Sequence, residues 1–150
     1  MTGGPVLLCF DGSGEAAEAI RCASVVLATR EAIVLTVATP AKDELPLDPA
    51  GDLVGRLSGL YRDWDEIATE LAERHAREGC VLASGEGFAA RSLTASGKPA
   101  AAILRVANEQ DVSVIVLGAG RRGALGGLLG SVSARVAERA AQPVLVIPIR

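Results

Sequence analysis

Aromatic side chains are scarce in this chain: two Phe, one Tyr and one Trp make up 3% of 150 residues. With a hydrophobic fraction of 49%, the core must then come from Ala, Val, Leu and Ile, a mix suited to close layering of helices and strands. Cysteine is also sparse. Cys9, Cys22 and Cys80 are odd in number and match no metal-ligand spacing, so a disulfide framework or zinc site is excluded and they read as reduced core thiols of a cytosolic protein. No apolar run approaches the ~20 residues of a membrane helix. Met1 to Pro5 lacks the charged and apolar regions of a signal peptide, so a cytoplasmic protein without a membrane partner is expected. No block of like charge occurs either. The 15 basic and 18 acidic residues are interspersed and sum to −3, which argues against a nucleic-acid partner.

What is present is an alternation of strand and helix signals. A chain of 150 residues fits one domain, 1–150, and buries about 68–70% of its unfolded surface. Val6 to Phe10 is an apolar run between Pro5 and Asp11-Gly12-Ser13-Gly14, the pattern of a strand buried on both faces. Ala16, Ala19, Ile20, Ala23 and Leu27 then recur at helical spacing behind a Ser13 cap. Ile33 to Ala38 is a second strand. Pro40, Pro46 and Pro49 predict an irregular connection after it, a candidate lid. Leu53, Leu57, Leu60, Trp64, Ile67 and Leu71 follow steps of three and four, the stripe of a long amphipathic helix ending near Ser84, with Trp64 and Tyr61 anchoring it to the core or an interface. Phe88 to Ala95 reads as a third strand between Gly87 and Gly97. Pro99 opens a helix with Ala102, Ile103, Val106 and Ala107 inward, and Val112 to Leu117 is a fourth strand. Ser131 starts a last helix with Val132, Val136 and Ala140 inward, and Val144 to Ile149 is the fifth strand. Strands separated by helices imply right-handed crossovers and a parallel sheet covered on both faces, an α/β fold.

In such sheets ligands bind beyond the carboxyl ends of the strands, where the strand order reverses. The glycine-rich stretch from Gly118 to Gly130 lies at such an end. Gly118, Gly120, Gly123, Gly126, Gly127 and Gly130 let backbone amides approach an anion, Ser131 and the next helix amides add donors, and Arg121 and Arg122 add positive charge. A solvated loop needing glycine for its turns is the competing reading. Asp11, after the first strand, either accepts a hydrogen bond from a ligand amino or hydroxyl group or caps the first helix. Lys98, between Gly97 and Pro99, is an exposed turn lysine or a ligand contact. Catalytic parts are missing: the only histidine, His75, falls on the long helix, and no Ser-His-Asp or Cys-His constellation can be assembled. Cys80 is the one thiol placed for reactivity.

Val6-Leu7-Leu8-Cys9-Phe10-Asp11-Gly12-Ser13, Ala95-Ser96-Gly97-Lys98-Pro99-Ala100, Val114 to Gly118, Leu128-Leu129-Gly130-Ser131-Val132-Ser133 and Gln142-Pro143-Val144-Leu145-Val146-Ile147-Pro148 together resemble the universal stress protein family over the whole chain. The resemblance implies a Rossmann-like fold of the adenine nucleotide alpha hydrolase type, with a five-stranded parallel sheet in the order 3-2-1-4-5. It also implies a homodimer through the last strand and, in many members, ATP along the carboxyl edge. On this basis Asp11, Gly12, Ser13, Val37, Gly97, Lys98, Gly118, Gly120, Arg121, Gly123, Gly130, Ser131 and Val132 are the expected nucleotide contacts. The expected ligand is ATP, or AMP or ADP, with Mg as a candidate companion. The family's phosphate loop, G-x2-G-x9-G-[ST], is not fully kept. Aligning it on Gly118 and Gly130-Ser131 puts Arg121 at the second glycine and leaves the loop one residue short; aligning Gly120 and Gly123 leaves it three short. Three functions follow: a nucleotide-dependent regulatory module of the stress response, a nucleotide-free dimer acting through partners, and, on fold analogy alone, a slow ATPase or nucleotidyl transferase.

Overall fold

The computed structural model describes residues 3–28, 30–40, 58–120 and 129–148, with side chains in the third stretch from 62 onward. Its elements alternate along the chain as β1 (Val6–Cys9), α1 (Gly14–Val26), β2 (Glu31–Ala38), α2 (Ser58–Gly85), β3 (Ala89–Ser96), α3 (Pro99–Glu109), β4 (Val114–Gly118), α4 (Ser131–Arg139) and β5 (Val144–Ile147). The five strands form one parallel sheet in the order β3-β2-β1-β4-β5.

Side chains alternate across the central strands, so each face of the sheet has its own core. Val6, Leu8, Val34, Val114 and Val116 pack under Ala16, Ala19, Ile20 and Ala23 of α1 and Ala83 of α2. Leu7, Ile33, Leu35, Ile115 and Leu117 pack under Ile103, Val106 and Ala107 of α3 and Val136 of α4. Val132 and Ala140 flank Val136, half-buried, which is the inward stripe expected of the last helix.

Two strands begin later than their apolar runs suggest, for the same reason. Phe88 donates its amide to Ala83 O behind Gly87, whose φ is +101°, and Val112 donates to Ala107 O behind Asp111, whose φ is +48°. Both apolar residues therefore close the end of a helix through a left-handed turn, and pairing starts only afterwards.

The long helix departs from expectation in what it buries. Its inward residues are Ala72, Ala76, Gly79 and Ala83, while Trp64, Ile67 and Leu71 are 56%, 60% and 41% exposed. Trp64 does not anchor α2 to the core. Small residues win the inward face because α2 lies close on the sheet: a Cβ on Gly79 would stand 2.7 Å from both Phe10 Cδ1 and Val34 Cγ1. Leu53, Leu57, Pro46 and Pro49, the side chains of Leu60 and Tyr61, and the candidate lid lie outside the described residues, as does Ile149 after β5.

Candidate functional site

Chain order runs β1, β2, β3 toward one edge of the sheet and resumes with β4 on the other side of β1. The reversal leaves a crevice at the carboxyl ends of β1 and β4, the place where doubly wound sheets hold ligands. A cavity of about 380 Å³ opens there, within the range of roughly 300–1,000 Å³ typical of small-molecule sites.

Its apolar lining comes from Cys9, Phe10, Leu35, Val37 and Leu117 at the strand ends and from Pro99 and Ile103 of α3. The polar side is built from Asp11, Ser13 and Glu15 at the start of α1, and from Gly118, Gly120, Gly130, Ser131, Val132 and Ser133 around the start of α4. The two helix starts differ. Ser13 caps α1, its Oγ accepting from Ala16 N at 3.1 Å, and Asp11 Oδ1 in turn accepts from Ser13 N at 3.0 Å. The N-cap of α4 is Gly130, which has no side chain to cap with, so the first-turn amides of Ser131 and Val132 have no side-chain partner there. These donors, together with the positive end of the helix dipole, suit an anion.

The ends of the segment between β4 and α4 are clasped. Gly130 N donates to Ala119 O at 2.6 Å, and the buried Ser133 Oγ donates to Ala119 O at 2.9 Å and lies 3.1 Å from Gly130 O. Gly120, at φ +84°, sits so close that a Cβ there would lie 3.1 Å from Gly130 Cα. Only glycine on both strands of the clasp permits that approach.

Gly12, also at φ +84°, lies under the imidazole of His75: a Cβ on it would fall 2.7 Å from His75 Cε1 and Nε2. The histidine packs α2 against the loop that follows β1, and it is not among the cavity residues. Cys9 is. Burial, and secondarily the negative charge of Asp11, push its thiol from 9.0 up to about 12, so at neutral pH it is a protonated, apolar part of the wall. Cys80, the thiol singled out for reactivity, packs in the core against β3, with Sγ 3.3 Å from Ala90 O.

Of the expected contacts, Asp11, Ser13, Val37, Gly118, Gly120, Gly130, Ser131 and Val132 meet in this cavity. Gly12, turned under His75, stands outside its lining, and so do Gly97 and Lys98, because they follow the end of β3, the edge strand two places from the reversal; their neighbour Pro99 reaches it at the start of α3. Arg121 and Gly123 lie outside the described residues, with Arg122, Gly126, Gly127 and Leu128. Sequence reasoning missed Cys9, Phe10, Glu15, Ala16, Leu35, Ile103, Leu117 and Ser133. Phe10 and Leu117 were within reach of it, since the last apolar residue of a central strand is the natural floor of a crevice.

The model of the universal stress protein family matches residues 4–148. This chain belongs to that family. Universal stress protein YxiE of Bacillus subtilis (strain 168) is 29% identical to it over an alignment of 150 positions that covers 95% of this chain and 97% of the relative. Among solved structures, the hypothetical protein MJ0577 superposes with a TM-score of 0.76 at 21% identity, over 98% of this chain and 96% of the other. A universal stress protein from Archaeoglobus fulgidus in complex with dAMP superposes with a TM-score of 0.65 at 19% identity, over 98% and 99%. These likenesses establish for the present universal stress protein the fold that its sheet order already shows.

Proposed function

We propose that this universal stress protein binds an adenine nucleotide in the cavity between β1 and β4. The observation that carries the reading is the start of α4, with no side-chain cap, opening into the same cavity as an apolar shelf. A ring system packs against Phe10, Val37 and Ile103, with Asp11 in reach of an amino or hydroxyl group. The phosphates meet the amides of Ser131 and Val132 and the backbone of Gly118, Gly120 and Gly130, while Gly12 and Ser13 hold the facing loop. Arg121 and Gly123 supply the remaining phosphate contacts, and Gly97 and Lys98 a more distant part of the rim. The relative in complex with dAMP supports an adenine nucleotide.

ATP is the ligand proposed, with AMP and ADP as its shorter forms. The described residues hold no group of three or more His, Cys, Asp or Glu arranged for a metal, so a Mg ion is proposed only as the companion of the phosphates. No residue is assigned a catalytic role. β5 pairs only with β4 among the described strands, and Val144, Leu145 and Val146 on it are half-buried, which supports a homodimer through that edge. No helix among the described residues is long and apolar enough to cross a membrane. The protein is accordingly proposed to act in the cytoplasm, as a nucleotide-dependent regulatory module of the stress response.

Titration calorimetry with AMP, ADP and ATP, alongside mass spectrometry of any nucleotide that copurifies, tests the ligand. Saturable binding of at least one of them is expected. Absence of heat and of a thermal shift with all three would overturn the reading in favour of a nucleotide-free interaction protein, which Arg121 at a family glycine position favours. A monomer by light scattering would remove the dimer.

A further inference from the structure

The cavity between β1 and β4 is uneven in charge. Asp11 and Glu15 bring carboxylates to its wall, and no Lys, Arg or His stands among its described lining residues. The two acids differ in what already occupies them. Asp11 Oδ1 accepts from Ser13 N at 3.0 Å and helps to close the turn into α1. Glu15, in the first turn of α1, is half-buried and has no hydrogen bond or ion pair from its side chain among the described residues. The next acid on that helix, Glu18, stands outside the cavity lining and pairs with Arg21 at 3.5 Å.

Glu15 also stands close to the clasp. A Cβ on Gly118 would lie 3.5 Å from Glu15 O and 3.8 Å from Glu15 Cβ, so the first turn of α1 rests against the end of β4, two residues before Gly120. An unneutralised carboxylate and the uncapped amides of Ser131 and Val132 thus share one cavity. An anion drawn to those amides is repelled by Glu15, and the repulsion grows with the charge the anion carries. A glutamate in a first turn also favours its own helix dipole, but that role requires no ligand and does not distinguish one nucleotide from another. Arg121 and Arg122 lie outside the described residues; being present in wild type and variant alike, they leave the difference made by Glu15 to be read separately.

We propose that Glu15 is a specificity-determining residue that sets how much phosphate charge the cavity accepts, a role that rests on the adenine-nucleotide reading of that cavity. Glu15 disfavours bare ATP relative to AMP, and ATP enters once a divalent cation in solution has neutralised part of its charge. ATP carries about two more negative charges than AMP near pH 8, so the pair probes charge with the base and sugar unchanged. The test is calorimetric titration of the full chain with AMP and with ATP in a chelator, and with ATP plus Mg, for wild type, Glu15→Gln and Glu18→Gln. Glu15→Gln is expected to strengthen metal-free ATP binding by about threefold to tenfold and AMP binding by less, moving the preference toward ATP by at least about threefold. Mg should then help wild type more than Glu15→Gln, added salt should shrink the difference between them, and Glu18→Gln should leave the ATP-to-AMP ratio where it was. The proposal is overturned if Glu15→Gln changes both nucleotides by the same factor, since an equal loss would make Glu15 a contact to the shared sugar or base. It is equally overturned if the variant melts lower with the ratio unmoved, which would leave Glu15 only its place at the helix start. If neither nucleotide binds any of the three proteins, the adenine-nucleotide reading itself falls, and the role of Glu15 with it.

Discussion

The two edges of the sheet are built differently. At the amino edge, one side-chain bond and two backbone bonds tie separate segments together: Arg30 Nη2 donates to Ser113 Oγ at 2.6 Å, Ser113 N donates to Pro5 O at 3.0 Å, and Ala89 N donates to Arg30 O at 3.1 Å. At the carboxyl edge, Gly120 and Gly130 meet in a clasp held by Gly130 N and Ser133 Oγ, while the first turn of α4 has no side-chain cap. One edge spends its polar groups on the fold, and the other keeps donors available. Under the proposed function, the difference separates where stability resides from where the ligand is received, and it implies that substitutions at the two edges give distinguishable phenotypes.

The largest expected effect is at the amino edge. A Cβ on Gly4 would run into the carbonyl oxygen of Asp111, so Gly4→Ala should lower stability by roughly 2–3 kcal/mol in denaturant melts while leaving nucleotide affinity per folded molecule unchanged. A matching loss of affinity would break the separation. Ser133→Ala comes next, removing a buried hydroxyl that reaches Ala119 O and Gly130 O, and should cost about 1–2 kcal/mol by thermal unfolding.

Gly130→Val addresses the carboxyl edge itself. Its Cβ would lie 3.0 Å from Ala119 O and 3.2 Å from Gly120 Cα, wedging the clasp, and calorimetry should show adenine-nucleotide affinity down by about tenfold or more. Cys9 gives a smaller, pH-dependent effect. Its pKa is raised from 9.0 to about 12, so above pH 9 the unfolded chain releases a proton that the folded chain retains. Stability contributed by this thiol is therefore complete below pH 9 and falls as pH rises, by on the order of 1 kcal/mol at pH 10. The comparison is wild type against Cys9→Ala at pH 8 and 10. The smallest effect belongs to Lys98→Ala: standing outside the cavity lining, Lys98 should change nucleotide affinity by less than about twofold.

Much of this molecule is legible because its central strands are continuous apolar runs and its helices carry recognisable starts. Val6 to Cys9, Val114 to Leu117, the Ser13 cap and Pro99 at the head of α3 all follow from local chemistry that the rest of the chain does not contradict. The face of α2 is not legible in that way. Size of side chain suggests that Trp64, Ile67 and Leu71 point inward, but the closest stripe of the helix, Ala72, Ala76, Gly79 and Ala83, leaves room only for small side chains, and the gap at Gly79 is set by Phe10 and Val34 far away in sequence. The cavity divides similarly. Its glycine and Asp11 side can be anticipated from residues at strand ends, whereas Leu35 is brought to it by the pairing of β2 beside β1 and Ile103 by the crossing of α3 between β3 and β4. Lys98 shows the converse, since ending a strand places a residue at the carboxyl edge without placing it at the reversal.

The clasp between Ala119, Gly120 and Gly130 also bears on how the segment it closes can vary. Once its two ends are held together by groups at those ends, the closure entropy depends only weakly on the length between them, about 0.6 kcal/mol for each doubling. A segment one residue short of the family's loop pattern is then nearly neutral for folding. Under the proposed function, insertions and deletions there change the reach and charge offered to the nucleotide without a folding cost, so length in this one place can drift under selection for ligand alone.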